Sequence, residues 1–519
     1  MKRRWKILIA IGTAIGLAVL LSVIHHYQLR AATEAYIAEL KAKGEPMELA
    51  QVLPPPVPPE KNSAGVFRSA ASLIDADQSL GYSNYVFGMK MVAAGKAMIR
   101  WQQSDIRDSY GTNSWDEVES AVRQNMNSLT LLRQIIDKPD FDFGINYEQG
   151  TADLVFSNLY LIESKGAAQR LETAAFFDLH SGDTVSAVTN LRAILAVAKA
   201  MGDERLEISE LVRMAIVRIA VSVNWELLQS PNATDGQLSE LEHDWAALDF
   251  IRSDEKALEM ERVAGEITLA KWRGSDSELQ RYFDLGNGMR EAMGLTDDET
   301  LWDKARTTAK VFMWRSWWSY PDELRSLRGC DALITAVRLV ETNGSFHAAL
   351  EYQNNKLDGL GISKMDDEIS ALFSAIPSSD MNFHTMDSQS IVVLSPIIKM
   401  VMRLEAAKQS VIAAIALKRY QLKHGNVPPD LNSLVPGFLA SVPLDPVDGQ
   451  PLRYRRNADG TFLLYSVGEN GKDDGGDPSL AKGAESSSYY WLNPHALDWV
   501  WPQPATPEEI QNVYAHPPK

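Results

Sequence analysis

The spacing of apolar residues divides the chain into three stretches with different patterns. An uninterrupted apolar run occupies residues 7–24. Across residues 62–341, apolar positions recur at spacings of three and four, which is typical of packed amphipathic helices. From residue 397 a long amphipathic helix is predicted, followed by short strand-like runs at 452–456 and 462–467. The pattern predicts a mainly α protein with a small α+β unit at its C-terminal end.

The apolar run has the length and flanks of a membrane-spanning helix. A helix of about 18 residues rises about 27 Å, close to the thickness of a hydrocarbon core. Aromatic residues stand at both ends, Trp5 and Tyr27, where amphipathic rings prefer to lie. The basic residues that precede the run favour a cytoplasmic N-terminus, and they are Lys2, Arg3, Arg4 and Lys6.

A cleaved signal peptide is the alternative interpretation of the same run. Cleavage requires small residues at a set spacing after the apolar stretch. The residues at 24–30 are bulky or polar instead. We therefore expect a single-pass signal-anchor that crosses the cytoplasmic (inner) membrane through residues 7–24, with the bulk of the chain extracytoplasmic.

Composition shifts and breakers predict five successive units. The first contains the cytoplasmic tip and transmembrane helix, and the second a juxtamembrane helix with a Pro-rich linker, which favours a semi-rigid polyproline spacer. A helical body, a connecting region and a small α+β domain follow. The predicted bounds are 1–30, 31–61, 62–342, 343–396 and 397–519.

The sequence pattern predicts antiparallel helix pairs in part of the helical body. A helix at 167–179, a turn at 180–183 and a helix at 184–201 resemble a tetratricopeptide-type hairpin. Residues 208–229 and 238–248 are expected to pair in the same way. Arrays of such hairpins bind partners on a concave face, so we expect a protein partner on the helical body.

An aromatic cluster interrupts the polar surface pattern near the end of the body. Its members are Trp302, Phe312, Trp314, Trp317, Trp318 and Tyr320. Such a cluster packs helices together, binds sugars or lies at a membrane surface. The sequence favours helix packing and leaves the other two interpretations open.

Charge and cysteine content exclude several classes of function. The net charge of −17 argues against a nucleic-acid binder, which needs a basic surface. The single cysteine, Cys330, rules out an intrachain disulfide and a cysteine zinc cluster. We expect it to be a small buried residue.

The C-terminal unit resembles the globular part of the major pseudopilin of type II secretion. The likeness covers about a quarter of the chain and depends on three motifs in a fixed order. These motifs are the helix end Leu417-Lys-Arg-Tyr-Gln-Leu-Lys-His-Gly-Asn-Val-Pro, the segment Pro443-Leu-Asp-Pro-Val-Asp-Gly-Gln-Pro-Leu-Arg-Tyr and the segment Leu464-Tyr-Ser-Val-Gly-Glu-Asn-Gly-Lys-Asp-Asp-Gly-Gly-Asp.

The resemblance implies a structural calcium ion in the loop after the last strands. The matching carboxylates are Asp473, Asp474, Asp477 and, after an insertion at 482–488, Asp498. Calcium takes about six to eight oxygen ligands, and glycines allow backbone carbonyls to turn inward. A pseudopilin's membrane helix runs directly into its head, whereas this one lies far upstream. The resemblance therefore implies a borrowed module and not a pilus subunit.

The chain as a whole resembles a family of uncharacterised membrane-anchored proteins of planctomycete-like and related bacteria. The segments that carry this likeness are Tyr36-Ile-Ala-Glu-Leu-Lys-Ala-Lys-Gly-Glu-Pro, Pro58-Pro-Glu-Lys-Asn-Ser-Ala and Leu211-Val-Arg-Met-Ala-Ile. The family implies no established activity.

Motifs of the common enzyme classes are absent from the sequence. We find no nucleophile elbow, phosphate loop, zinc-protease motif or dinucleotide fingerprint. His384 beside Asp387 is the one loop histidine that suggests a site, and a structural role is favoured there. The sequence thus favours a non-enzymatic extracytoplasmic scaffold or binding protein of unknown specificity. A membrane-anchored carbohydrate hydrolase and a component of a secretion or pilus-like assembly are the alternatives.

Overall fold

The computed structural model describes residues 2–75, 86, 88–108, 111–138, 140–150, 160–282, 308–362, 389–482 and 491–515. Helices account for 66% of the structure and strands for 7%, which confirms the mainly α prediction. Trp302, His384, Asp387 and most of the 482–488 insertion lie outside the described residues. All structural statements below concern the described part of the chain.

The helical body is built from antiparallel neighbours that share one apolar core. The helices are α3 (Ala64–Asp75), α4 (Trp115–Gln124), α5 (Met126–Arg133), α6 (Tyr160–His180), α7 (Thr184–Met201), α8 (Glu207–Leu228), α9 (Asp235–Ala246), α10 (Phe250–Gly274) and α11 (Ser319–Asn343). Helices α6, α7 and α8 pack on one another, while α10 packs on α8 and α11. The expected pairing of residues 208–229 with 238–248 is not among the main contacts of the described residues, since α9 packs on α7 instead.

The turn between α6 and α7 forms for local reasons that the sequence contains. Gly182 adopts a positive φ of 80°, which a residue with a side chain rarely accepts. Asp183 then caps α7 by accepting a hydrogen bond from the backbone N–H of Ser186 at 3.0 Å. These two residues fix the hairpin at the predicted position.

The N-terminal helix α1 (Lys2–Ala42) is continuous through the predicted membrane run and the predicted juxtamembrane helix. Residues 11–42 of it are long and apolar enough to cross a membrane, a property that signal sequences share. Large apolar side chains on this helix remain about half exposed, including Leu17, Leu20 and Leu21. Such an uncovered apolar surface is compatible with lipid rather than water.

The second half of α1 packs on α11 and does not extend freely into solvent. Thr33 donates a hydrogen bond to the carbonyl oxygen of Tyr320 at 3.1 Å. Leu40 is fully buried in an apolar cluster that includes Leu327 of α11. The membrane-spanning candidate is therefore joined to the body by direct side-chain packing.

The segment after α1 is also fastened to the body. Glu45 pairs with Arg338 at 2.6 Å and with the buried Arg262 at 2.9 Å. In the short helix α2 (Leu49–Val52), the carbonyl of Val52 accepts a hydrogen bond from Arg205 at 2.8 Å. The end of the region predicted as a juxtamembrane helix is thus attached to the helical body before the proline run begins.

The described residues of the region that the sequence pattern predicted to be almost wholly helical include four short strands. Strands β1 (Lys90–Ala93) and β2 (Lys96–Met98) are antiparallel, and so are β3 (Ile106–Asp108) and β4 (Gly111–Asn113). That prediction was wrong here. Strands of three or four residues are too short to show a clear alternation of apolar and polar positions.

Outside residues 363–388, the predicted connecting region forms two helices, α12 (Phe346–Gly359) and α13 (Gln389–Leu394). Helix α12 packs on α11. It buries Phe346, Ala349, Gln353 and Leu357 at helical spacing. The interpretation as a connection missed this helix, because a polar residue occupies one of its four buried positions.

The C-terminal elements follow the predicted order closely. Helix α14 (Ile397–His424) ends at Gly425, whose φ of 76° closes the helix in a left-handed conformation. Strands β5 (Arg453–Arg456) and β6 (Phe462–Ser466) form the predicted hairpin, and β7 (Trp499–Val500) pairs antiparallel with β6.

The C-terminal unit is not separated from the helical body. Helix α14 packs on α8 and α9, and one apolar core includes residues from 64 to 501. Strand β8 (Gln503–Pro504) pairs in parallel with β2, and the last helix, α15 (Pro507–Ala515), packs on β1. After the β5–β7 sheet, the chain therefore returns to the strands near residues 90–98.

Candidate functional site

A cavity of about 350 Å³ opens between α1, α11 and α12, where the membrane-spanning candidate meets the body. Each of the three helices contributes at least one polar side chain to its wall. The lining residues are Tyr36, Arg328, Asp331, Ala332, Tyr352, Asn355, Lys356, Gly359 and Leu360.

Two cations and two aromatic rings organise this cavity. The Arg328 guanidinium lies 5.4 Å from the ring centre of Tyr36, and the Lys356 ammonium lies 5.4 Å from that of Tyr352. Tyr36 donates a hydrogen bond to Asp331 at 3.3 Å. Burial, together with the adjacent Asp331 carboxylate, raises the pKa of Tyr36, so its hydroxyl remains a donor.

The composition of the cavity limits its chemistry. Asp331 is the one carboxylate among its lining residues, against two cations. Glycoside hydrolysis ordinarily uses a pair of carboxyl groups on either side of the bond that breaks. The cavity therefore gives no support to the hydrolase alternative and is better suited to binding a group that carries negative charge.

The predicted calcium loop does bring its residues to the end of the C-terminal sheet. Asp498 is buried and receives hydrogen bonds from the backbone N–H groups of Gly476 at 2.7 Å and Asp477 at 3.1 Å. Asp473 is exposed and accepts a hydrogen bond from Tyr465 at 2.9 Å, while Asp474 accepts one from Asn470 at 3.0 Å.

These contacts close the loop through hydrogen bonds between Asp498 and the loop backbone. In the described ranges, no three Asp, Glu, His or Cys side chains are arranged to hold a metal ion. The carboxylates expected to bind calcium differ in burial, since Asp473, Asp474 and Asp477 are exposed while Asp498 is buried. Calcium binding at this loop remains a prediction.

Calcium is expected to raise the melting temperature of the chelator-treated protein, because it would tie the loop to β7 through further carboxylates. The double variant Asp474→Asn, Asp477→Asn should lose this response. Asp459→Asn, at an exposed hairpin turn, should keep it. Scanning calorimetry with and without calcium makes the comparison, and an unchanged melting temperature in the wild type would contradict calcium binding.

A second cluster of polar side chains in the C-terminal unit surrounds Asp445 and includes none of the predicted site residues. Asp445 is fully buried and accepts hydrogen bonds from Ser466 at 2.8 Å and from the backbone N–H groups of Val467 and Val447. Arg453 donates to the same carboxylate at 3.2 Å. Asp445 therefore fixes the 443–452 turn against β6, which is a structural role.

The helical body also buries carboxylates that the sequence analysis did not single out. Glu172 of α6 accepts a hydrogen bond from the backbone N–H of Gly88 at 2.9 Å, and Glu226 of α8 accepts one from that of Arg100 at 3.0 Å. Burial raises the pKa of Glu172 and of Glu226 to about 8. At neutral pH both side chains are therefore largely protonated.

A further group of acids lies where α8 begins. Glu204, Glu207, Glu210 and Asp254 are all buried. Among the residues that the structure describes, Glu207 and Asp254 have no hydrogen-bond partner. Burial, together with the neighbouring acids, raises the pKa of both carboxyl groups. Arg213 pairs with Glu210 at 2.9 Å. The core therefore favours the protonated state of Glu204, Glu207 and Asp254, whereas Glu210 has Arg213 as a counter-charge.

The aromatic cluster divides into buried and exposed members. Trp314 is fully buried, packs against Trp272 of α10 and donates a hydrogen bond to Asp322 at 3.1 Å. Phe312 and Trp317 remain 67% and 40% exposed. Helix packing, which the sequence favoured, explains Trp314 and Trp318, which pack in the same apolar cluster, but not the exposed Phe312 and Trp317. Cys330 is buried, as expected.

Comparison with known proteins finds no family model, no curated protein and no solved structure that matches this chain. The two resemblances described above therefore depend on their sequence motifs alone, and they remain predictions.

Proposed function

We propose that the protein is a membrane-tethered extracytoplasmic scaffold that holds an acidic segment of a partner protein close to the membrane. The observation that carries this proposal is the continuity of α1, which passes from the apolar run into a packed contact with α11. An anchor on a free linker would leave the body mobile, whereas this anchor holds it at a fixed distance.

The cavity beside α1 is the proposed binding site on the scaffold. Arg328 and Lys356 are exposed at its wall, and one of its sides is formed by the anchor helix itself. Two cations against one carboxylate favour a partner segment with Asp or Glu side chains. A site formed by the anchor helix would select partners that are themselves membrane proteins or bind near the bilayer.

The pseudopilin-like module is proposed to stiffen the scaffold and not to polymerise. Its long helix α14 is covered by α8 and α9, and 17 of its residues are buried. A polymerising subunit needs a free helix face for its neighbour. The basic N-terminal tip supports an orientation with the N-terminus inside the cell.

Affinity purification of the full-length chain from cross-linked, detergent-solubilised membranes tests the proposal. We expect a recurrent partner protein to be recovered with the wild type and to be lost with Arg328→Glu, Lys356→Glu. The matched control carries the same charge change at the exposed residues Lys199 and Arg252, as Lys199→Glu, Arg252→Glu.

Repeated recovery of the chain alone would contradict a scaffold function. Equal recovery of a partner with all three proteins would contradict the cavity as its site. Thermal melting of the three purified proteins confirms that loss of the partner does not come from unfolding.

A further inference from the structure

We propose that the aromatic segment 312–320 is a second membrane contact that lies in the headgroup region of the bilayer beside the exit of the anchor helix. The proposal rests on the anchor described under Proposed function and adds a surface of the helical body to the membrane-bound area. The partner that this segment contacts is the phospholipid headgroup region of the membrane.

Direct contacts place this segment at the end of the apolar run. The ring nitrogen Nδ1 of His26 lies 2.8 Å from the carbonyl oxygen of Ser316. The rings of His26 and Tyr320 meet edge to face with centres 5.2 Å apart. His26 is two residues beyond the predicted end of the apolar run at Ile24.

The rise per residue of an α-helix gives the depth of the His26–Ser316 contact relative to the hydrocarbon core. Two residues correspond to about 3 Å along the axis of α1, and less along the membrane normal if the helix is tilted. The headgroup region is about 5 to 7 Å thick on each side of the hydrocarbon core. The contact between His26 and Ser316 therefore falls within the headgroup layer.

Side chains exposed within about one helical turn of this contact have the chemistry of an interfacial belt. Phe312 is 67% exposed and Trp317 is 40% exposed. Tyr27, the residue after His26 on α1, is 62% exposed. Tryptophan and tyrosine concentrate at membrane–water interfaces because their rings combine an apolar body with a polar group. Exposure of such residues next to a membrane exit indicates contact with lipid.

Contacts with the helical body fix the backbone of this segment. Its exposed rings are therefore held in a defined position at the surface. Residues 314–318 form a π-helical turn whose Trp314 is fully buried. Arg315 donates hydrogen bonds to the carbonyl oxygens of Trp272 at 2.8 Å and Ser275 at 2.7 Å. Rigid presentation reduces the entropic cost of binding to a surface.

Site-directed spin labelling of the full-length chain in nanodiscs of phosphatidylcholine and phosphatidylglycerol tests the proposal. A nitroxide is attached at Phe312→Cys, or at Trp317→Cys as an independent site, in a Cys330→Ala background. The control is Val185→Cys, because Val185 on α7 is also 67% exposed. The measured quantity is the ratio of collision rates with oxygen, which enters lipid, and with a water-soluble nickel chelate.

We expect the oxygen-to-nickel ratio to be several-fold higher at positions 312 and 317 than at position 185. Equal ratios in a chain that remains in the nanodisc would overturn the second membrane contact and leave the anchor intact. A chain that does not remain with the nanodisc would overturn the anchor and this proposal together.

Discussion

Raising the pH from about 5 to about 8 is expected to lower the free energy of unfolding by about 1.4 kcal/mol per pH unit for each of Glu172 and Glu226. Both carboxyl groups lie in the core between α6 and α8. Burial raises their pKa from 4.5 to about 8 in the folded state. Their charged forms are therefore disfavoured only while the chain is folded.

The sign of the effect follows from proton binding. Between pH 4.5 and 8 the folded state keeps these two protons, and the unfolded state releases them. The stabilisation is complete below the unfolded pKa and is lost as the pH rises through the folded pKa. Glu204, whose pKa burial raises to about 7, acts in the same direction over a narrower range.

Replacing one acid by its neutral isostere separates this mechanism from general charge effects. Glu226→Gln should flatten the decline in stability between pH 5 and 8 by about 1.4 kcal/mol per pH unit. Glu351→Gln, at an exposed site on α12, should leave the slope unchanged. Urea unfolding at several pH values measures the slopes, and equal slopes for wild type and Glu226→Gln would contradict the buried-acid mechanism.

The sequence predicted those elements whose signals are local. Helix α14, the hairpin of β5 and β6 and the turn at Gly182 each depend on periodicity or on turn residues within a few positions. Strands β1 to β4 and helix α12 were missed because their signals are shorter or are mixed with polar residues. The packing of α14 on α8 and α9 depends on contacts between residues far apart in sequence, which periodicity does not report.

The same distinction applies to the candidate sites. The aspartates of the 473–477 loop were found because a Gly-rich acidic motif is visible in the chain. The cavity lined by Tyr36 and Arg328 is formed by three helices, of which α1 is far in sequence from α11 and α12, and no sequence motif includes residues of all three. Glu226 did leave a signal, since it stands between Trp225 and Leu227 in a mostly apolar stretch. A charged residue at such a position indicates a buried group.

Arg213 holds three helices together around one buried charge. Its guanidinium pairs with Glu210 at 2.9 Å, and both side chains are 2% exposed. It also donates a hydrogen bond to the carbonyl oxygen of Ala198 at 2.8 Å on α7 and lies 4.7 Å from the ring centre of Phe250 on α10. These contacts satisfy a charge that the core would otherwise exclude.

Arg213→Met is therefore expected to destabilise the protein by about 3 to 5 kcal/mol, because it leaves Glu210 buried without its counter-charge. Removing both charges, as Arg213→Met with Glu210→Gln, should recover part of this loss, since no unpaired ion then remains. Arg123→Met provides the control, because Arg123 pairs with Glu119 at a site where its side chain is 75% exposed.

Exposed pairs contribute about 0 to 1 kcal/mol, so the control should unfold nearly as the wild type does. Chemical unfolding of the four purified proteins in one detergent gives the comparison. If Arg213→Met loses no more stability than Arg123→Met, the ion pair does not hold the three helices together. If the double variant is less stable than Arg213→Met, the loss comes from packing of the arginine side chain and not from the unpaired carboxylate.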